Sequence, residues 1–196
     1  EMLRSLVGSE MCIRDRYSKY IQVYEKPFAS APQKIIDSVR NKLQRLSENK
    51  QPLASVILIC HNEETRLLSC LWSLCENQCD FPIEILAINN NSSDHTEEVL
   101  KQLGVTYSNE VQKGPGHARQ CGLNQAKGAY HICIDADTIY PPHYIETHIK
   151  ELRKKGVVGT FSLWSFIPDK THSKFGLWLY ETLSCLLYTS PSPRDS

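Results

Sequence analysis

Hydrophobic residues recur at helical spacing between Pro32 and Lys50, and this pattern predicts an amphipathic helix. From Ala54 onward, short runs rich in β-branched residues alternate with helical patterns. The predicted strands cover residues 55–60, 83–88, 105–108 and 129–134, and the predicted helices cover 63–77, 94–103 and 116–127, with another after Pro141-Pro142. Strands and helices that alternate at this spacing are typical of an open, mostly parallel α/β sheet flanked by helices.

The composition fits one domain with a sizeable core, because 41% of the 196 residues are hydrophobic. The 22 basic and 22 acidic residues balance. Nucleic-acid binders usually carry a basic surplus, so no nucleic-acid partner is predicted. Cys60 and Cys133 fall inside strand-like apolar runs and are predicted to be buried free thiols. The eight cysteines include no C-x-x-C pair, which favours a reducing compartment, and we expect a cytoplasmic protein.

The two ends of the chain are related to each other as DNA. Residues 6–15 can be encoded by a sequence whose reverse complement, read in another frame, encodes residues 186–194. Unrelated natural termini should not share this relationship, so residues 1–16 and 185–196 are interpreted as adapter-derived scars. Between them we expect an N-terminal extension with the amphipathic helix, residues 17–53, and one α/β domain, residues 54–184, whose C-terminal part is missing.

Polar clusters follow three of the predicted strands at their carboxyl ends. The first strand runs into Cys60 to Glu64, the second into Asn89 to Asp94, and the fourth into Asp135-Ala136-Asp137. Ligands of open α/β sheets bind beyond these ends, so the three clusters are predicted to share one crevice. Two carboxylates one residue apart can approach one Mg²⁺ or Mn²⁺ ion that also takes phosphate oxygens. Asp137 and Asp135 are therefore candidate metal ligands, although an aspartate at a strand end also caps turns.

Structural and ligand-binding roles compete at the other polar clusters. Asn62-Glu63-Glu64 has the composition of a helix N-terminus, and Glu63 is also a candidate for contact with a ribose hydroxyl. Asn89-Asn90 can offer an amide to a base edge, but asparagine is also a common turn residue. His61 is a candidate for base contact. Lys113 opens a Gly-Pro-Gly loop into a helix, where its charge and the backbone amides suit a phosphate.

Taken together, these segments resemble family 2 of the glycosyltransferases. The family pattern is a strand ending in a Pro-x-Tyr-Asn-Glu-like segment, then Asp-Asp-x-Ser-x-Asp, Ala-Arg-Asn-x-Gly, Gly-x-Tyr and Asp-x-Asp. The matching segments here, in the same order, are Ile59 to Glu64, Asn89 to Asp94, Ala118 to Gly122, Gly128 to Tyr130 and Asp135 to Asp137. Two departures stand out: Cys60-His61 replaces the usual Pro and Tyr, and Asn89-Asn90 replaces an acidic pair, which leaves uridine and guanosine both open as the base.

The resemblance implies a GT-A fold, which is a Rossmann-like open sheet, and an inverting, metal-assisted transfer of sugar from a nucleoside-diphosphate donor. The acceptor would be a glycan or a lipid-linked molecule, as in cell-envelope polysaccharide synthesis. By this analogy Asn90 replaces the acid that reads the base, Asp135 contacts ribose or sugar, and Asp137 holds the Mn²⁺ or Mg²⁺ ion. The implied donor-binding residues are Cys60, His61, Asn62, Glu63, Asn90, Lys113 and Asp135, and the implied metal ligands are Asp137 and Asp135.

The catalytic base is not assigned to a residue. Family members place it, as an Asp or Glu, beyond the metal motif, and the late acids Asp169 and Glu181 lie in no family context. We expect the base, and any membrane association at the inner face of the plasma membrane, in a part beyond this chain. Without a base to deprotonate the acceptor hydroxyl, slow turnover is expected.

Two alternatives remain open. A nucleotidyltransferase has a similar sheet and metal dependence, but normally carries a Gly-rich, basic loop after the first strand, where this chain has His61 to Glu64. A non-catalytic sugar-nucleotide-binding module is the other alternative, and the presence of both Asp135 and Asp137 argues against it.

Overall fold

A computed structural model describes residues 17–47, 51–160 and 162 of the chain. The chain divides into two compact units, Glu1–Lys154 and Lys155–Ser196, and every element named below belongs to the first. A helical stretch at residues 17–21 and a 3₁₀ turn at Phe28–Ser30 precede the long helices. The helices are α1 (Gln33–Ser47), α2 (Leu67–Cys75), α3 (Thr96–Leu103), α4 (Pro115–Gln125) and α5 (Tyr144–Leu152). The strands are β1 (Ala54–Cys60), β2 (Ile83–Asn90), β3 (Thr106–Glu110) and β4 (Tyr130–Asp135).

The four strands form one parallel sheet in the order β3-β2-β1-β4. At the carboxyl ends of the strands, Cys60 lies beside Asn89 and Ile59 lies beside Asp135. The three polar clusters therefore leave the sheet at one edge, as the sequence predicts. This arrangement confirms the predicted α/β class with a mostly parallel sheet.

Helices cover both faces of the sheet. On one face, side chains such as Val56 and Leu58 pack against α1, α2, α3 and α5. On the other face, Ile57 and Ile88 pack against α4 through Ala118. Every residue of β1 is buried, which is why this strand reads as a continuous apolar run rather than an alternating one.

Gly122 allows α4 to approach the sheet closely. A Cβ atom at this position would lie 2.3 Å from Cγ2 of Ile57 and 3.2 Å from Cγ1 of Ile88. A larger residue would have to push the helix away from β1 and β2. The glycine of the family-like Ala118 to Gly122 segment is therefore required by packing.

Several boundaries differ from the sequence prediction. The helix after β1 begins at Leu67 rather than Glu63, because the loop at residues 61–66 hydrogen-bonds to the loop after β2 instead of continuing the helix. β2 extends to Asn90, so the Asn89-Asn90 pair lies in the strand and not in a turn. Gly104 ends α3 in the left-handed conformation, with a φ of 66°, as predicted.

The prediction that Cys133 is buried is wrong, whereas Cys60 is fully buried. The side chains of β4 alternate between buried and exposed, and Cys133 belongs to the exposed set with His131 and Asp135. The physical reason is that α4 packs against β1 and β2, so among the described residues it leaves this face of β4 uncovered. An apolar run in the sequence can therefore form a strand that helices cover on only one face.

An N-terminal arm, defined here as residues 17–26, packs against α2. Its anchor is Glu76, the residue after α2, whose carboxylate accepts hydrogen bonds from Lys19, Lys42 (2.7 Å), Tyr20 (2.8 Å) and the indole nitrogen of Trp72 (3.0 Å). These contacts join the arm, α1 and α2 at one carboxylate. Within the described part of the chain, no helix is both long and apolar enough to cross a bilayer.

Candidate donor and metal site

The loops after β1 and β2 are joined by reciprocal hydrogen bonds. The backbone nitrogen of Asn62 donates to Oγ of Ser92 at 3.1 Å, and the Asn62 side-chain oxygen accepts from the backbone nitrogen of Ser93 at 2.8 Å. Asn62 and Asn91 both have positive φ angles, 58° and 53°, a region that asparagine tolerates better than most residues. The side chain of Asn62 is thus used to hold the two loops together.

Asp94 and Thr96 complete this connection. The backbone nitrogen of Glu63 donates to Oγ1 of Thr96 at 2.8 Å, and that of Glu64 donates to a carboxylate oxygen of Asp94 at 3.1 Å. Asp94 also accepts from the backbone nitrogen of Thr96, the first residue of α3, at 3.0 Å. Burial opposes ionisation of Asp94, but a hydrogen bond from the Thr96 hydroxyl at 2.6 Å and these backbone hydrogen bonds outweigh it and lower its pKa. Asp94 is therefore a structural anion between two loops.

The backbone of Glu63 is fixed by this network, and its carboxylate is directed elsewhere. The carboxylate lies 3.4 Å from the guanidinium of Arg66, and its side chain is 17% exposed. Burial raises the pKa of Glu63, Arg66 opposes this, and the negative charge of Asp137 adds to it. The charge of Asp137, which follows β4, therefore acts on the carboxylate of Glu63, which follows β1.

Asn90 shapes the loop that carries Lys113. Its buried amide donates to the backbone oxygen of Gln112 at 2.7 Å and accepts from the backbone nitrogen of Gly114 at 2.9 Å. Gly114 has a φ of 125°, which favours glycine, and it leads directly into α4. Lys113 itself is exposed. The structure thus connects the predicted base-reading residue to the predicted phosphate-binding loop.

His61 and Cys60 lie at the end of β1 in contrasting environments. The imidazole of His61 is exposed and its Nδ1 lies 2.7 Å from the backbone oxygen of Asn90. The thiol of Cys60 is buried in the core, and burial raises its pKa. Any contact of Cys60 with a ligand would therefore use its backbone, whereas His61 presents a ring to solvent.

Asp135 and Asp137 are both exposed at the end of β4. Asp135 is 64% exposed, and its carboxylate lies 3.6 Å from the guanidinium of Arg119 on α4. The buried Tyr140 holds the strand end, since its hydroxyl donates to the Asp135 backbone oxygen at 2.8 Å. Within the described residues, the Asp137 carboxylate accepts one hydrogen bond, from the hydroxyl of its neighbour Thr138 at 3.1 Å.

Three residues that connect the N-terminal arm to the site, Tyr24, Glu25 and Arg66, were not singled out by the sequence analysis. Tyr24 donates from its hydroxyl to the Asp137 backbone oxygen at 3.0 Å, and Glu25 pairs with Arg66 at 3.1 Å. Tyr24 lies 113 positions from Asp137 in the sequence, and Glu25 lies 41 positions from Arg66. No local pattern in the sequence marks such contacts, so only the fold reveals them.

Comparison with known proteins identifies a family. A family profile described as Glycosyl transferase family 2 matches residues 55–189. An uncharacterized glycosyltransferase of Rickettsia prowazekii is 30% identical over 129 residues, which is 63% of this chain and 40% of that protein. The poly-beta-1,6-N-acetyl-D-glucosamine synthase of Staphylococcus epidermidis is 29% identical over 150 residues, covering 71% of this chain and 33% of the synthase. The chain thus spans well under half the length of these relatives.

A solved structure shares the fold. The mannosyltransferase PcManGT of Pyrobaculum calidifontis, in complex with GDP-Man and Mn²⁺, superimposes with a TM-score of 0.50 at 20% identity, covering 63% of this chain and 41% of the mannosyltransferase. At that identity the likeness concerns the fold alone, and it agrees with the GT-A architecture expected from the sequence. Because the family profile covers well over half of its residues, the chain belongs to glycosyl transferase family 2.

Proposed function

We propose that this chain carries the donor-binding half of an inverting, metal-assisted glycosyltransferase that transfers a sugar from a nucleoside diphosphate to a glycan or lipid-linked acceptor. The observation that carries the proposal is the joined pair of loops after β1 and β2. Their polar backbone and capping groups are paired with each other, while Glu63, Lys113, Asp135 and Asp137 follow the same edge of the sheet. Loops that are already joined before the ligand arrives suit recognition of a polar donor, because little ordering is left to be done on binding.

The roles of the donor-binding residues follow from their environments. His61 would contact the nucleoside with its exposed ring, and Cys60 only through its backbone, because its thiol is buried. Glu63 is the carboxylate available to a ribose hydroxyl, and Lys113 the cation available to a phosphate. Asn90 acts through the 110–114 loop, because its amide is already occupied by that loop's backbone.

The residues present fit a divalent ion that the donor helps to bind. Within the described residues, no group of three or more His, Cys, Asp or Glu side chains forms a complete metal site. Mg²⁺ and Mn²⁺ are commonly held by one or two carboxylates together with substrate phosphates and water. Asp137, with Asp135, would hold the ion, which when bound neutralises charge on the diphosphate leaving group. The Mn²⁺ and GDP-Man in the complex of PcManGT support the use of a divalent ion together with the donor.

In the proposed reaction, an acceptor oxygen forms a bond to the anomeric carbon as the bond from that carbon to the diphosphate oxygen breaks. The configuration inverts, the acceptor proton passes to a base outside the described residues, and the nucleoside diphosphate leaves. The name of the S. epidermidis relative, a polysaccharide synthase, supports a glycan acceptor. A nucleotide-sugar donor and envelope acceptor would place the enzyme in the cytoplasm, at the inner face of the plasma membrane.

The decisive experiment is a calorimetric titration of the chain with UDP, GDP and TDP, with and without Mn²⁺. We expect Mn²⁺-dependent binding of one nucleotide, lost in Asp137→Ala and kept in Asp37→Ala. Asp37 is a better control than Asp94, because it is half-exposed on α1, away from the site, whereas Asp94 holds two loops together. Absence of metal-dependent binding for all three nucleotides would refute the proposal.

Binding without any release of sugar from the corresponding donor, even in a longer form of the protein, would instead indicate a non-catalytic module. No observation favours a nucleotidyltransferase. The chain belongs to glycosyl transferase family 2, and it has His61 to Glu64 where a nucleotidyltransferase normally carries a Gly-rich, basic loop.

A further inference from the structure

The N-terminal arm is anchored to α2 independently of the candidate site. Tyr20 is 4% exposed and packs edge-on against Trp72, with ring centroids 5.2 Å apart and planes at 84°. Its backbone oxygen accepts a hydrogen bond from Oγ of Ser69 at 3.1 Å. Val23 is also buried, and Glu76 accepts hydrogen bonds from Lys19 and Tyr20 of the arm. These contacts suffice to hold the arm in place up to Val23.

Beyond Val23, the arm contacts the site rather than the core. The hydroxyl of Tyr24 donates to the backbone oxygen of Asp137 at 3.0 Å. The next residue, Glu25, accepts from Nη2 and Nε of Arg66 at 3.1 and 3.3 Å. Glu25 has a φ of 54°, an uncommon conformation for a glutamate, so the backbone turns sharply where the two contacts are made.

Arg66 connects the arm to the donor loop as well. Its other terminal nitrogen lies 3.4 Å from the carboxylate of Glu63, so the guanidinium sits between Glu25 and Glu63. One short segment therefore touches the candidate metal loop through Tyr24 and the candidate ribose-binding carboxylate through Arg66. Two adjacent residues reach the two halves of one site.

The contact made by Glu25 contributes little to folding. The side chain of Glu25 is 57% exposed, and its ion pair with Arg66 is of the kind that adds little stability. The Tyr24 hydrogen bond, by contrast, restrains the peptide plane that follows Asp137, and so the backbone from which the Asp137 carboxylate extends.

We propose that Tyr24 and Glu25 are positioning residues of the donor site, with Tyr24 orienting Asp137 for a divalent cation and Glu25 orienting Arg66 against Glu63. This inference rests on the proposed function. It assigns the segment before α1 to the site itself, although that segment lies outside the residues matched by the family profile.

The test compares Tyr24→Phe with Tyr107→Phe in the full chain. Tyr107 is a matched control, since its hydroxyl also donates at 3.0 Å, to Glu97 at the far side of the sheet. Mn²⁺ affinity is measured by electron paramagnetic resonance in the presence of the nucleotide that the wild type binds. Tyr24→Phe is expected to weaken Mn²⁺ binding about three- to tenfold, the effect of one net hydrogen bond. Nucleotide affinity without metal should stay unchanged, and Tyr107→Phe should behave like the wild type.

Any outcome other than the one expected contradicts the inference. If the wild type shows no metal-dependent nucleotide binding, the proposed function fails and this inference falls with it. If the wild type binds but the two variants behave alike, or if Tyr24→Phe loses affinity equally with and without Mn²⁺, only the positioning role fails.

Glu25→Gln provides a second variant whose folding should be unaffected because the side chain is exposed. It should weaken metal-dependent nucleotide binding by about two- to threefold, since an exposed ion pair contributes little energy. Wild-type affinity in this variant would remove Glu25 from the proposal. Circular dichroism at the assay temperature verifies that each variant is folded.

Discussion

Among substitutions that remove one surface charge near α2, Glu76→Ala should cause the largest fall in the free energy of unfolding. Glu76 accepts hydrogen bonds from four groups that belong to the arm, α1 and α2. Two of them, the Tyr20 hydroxyl and the Trp72 indole, belong to side chains that are only 4% and 9% exposed. Removing the carboxylate leaves these two donors without their acceptor and removes both lysine ion pairs.

The magnitude follows from which contacts are buried. Lys19 and Lys42 are 48% and 37% exposed, so their ion pairs contribute about 0.2–1 kcal/mol each. A buried donor that loses its acceptor costs about 1–3 kcal/mol, less where water can replace the partner. The free energy of unfolding should therefore fall by about 2–4 kcal/mol, which corresponds to a decrease in melting temperature of roughly 5–15 °C for a chain of this size.

Thermal unfolding followed by circular dichroism at pH 7 measures this change. Glu98→Ala is the control, because Glu98 is an exposed acid on α3 and its loss should change the melting temperature by little. A melting temperature of Glu76→Ala equal to that of Glu98→Ala would refute the argument, since the four donors would then be satisfied by water.

The same residue predicts a pH dependence. Burial opposes ionisation of Glu76, but hydrogen bonds from Lys19, Lys42, Tyr20 and Trp72 outweigh it and lower its pKa from 4.5 to about 2. Because the folded-state pKa lies below the unfolded value, the stabilisation is fully present above pH 4.5 and is lost as the pH falls toward 2. The difference in melting temperature between wild type and Glu76→Ala should shrink over this range, and a constant difference would contradict the assignment.

Three further outcomes are expected. Gly122→Ala should lower the free energy of unfolding by about 1–3 kcal/mol through overpacking, whereas Gly116→Ala, in the same helix with open space around it, should leave the melting temperature unchanged or raise it. Asn90→Asp restores the acid typical of the family but points a carboxylate at backbone oxygens, so calorimetry should show weaker nucleotide binding and thermal unfolding a lower melting temperature. A thiol reagent should modify Cys133 in the native chain on the order of a hundred times faster than Cys60, because labelling of a buried thiol requires local opening; equal rates would mean that the exposed face of β4 is covered.

The sheet and the strand-end clusters could be predicted because their signals are local. The continuous apolar run of β1 is typical of a central parallel strand that is covered on both faces. The carboxyl ends of parallel strands lie at the same edge of the sheet, so the polar clusters that follow them must lie there too. The start of α2 could not be predicted in this way. Glu63 and Glu64 have helix-start composition, but Thr96 and Asp94 take their amides, and that pairing depends on the neighbouring strand.

The same distinction explains the site. Asp135 and Asp137 were predicted because an acid pair after a strand is a compact motif, and their metal role stays a prediction. Tyr24 escaped prediction because its partner lies 113 residues away. Cys133 was wrongly predicted to be buried, because an apolar sequence indicates a strand but does not show which of its two faces a helix covers.

The connection between the loops after β1 and β2 also limits how donor preference can change, in evolution or by engineering. Asn62 is paired with Ser93, and Glu64 with both Asp94 and His95, so a change in one loop leaves unsatisfied groups in the other. Substitutions at these positions should therefore be inherited together. Replacing only the β1 loop with that of a relative would leave the β2 loop without its hydrogen-bond partners, whereas transferring both loops together would preserve the pairing.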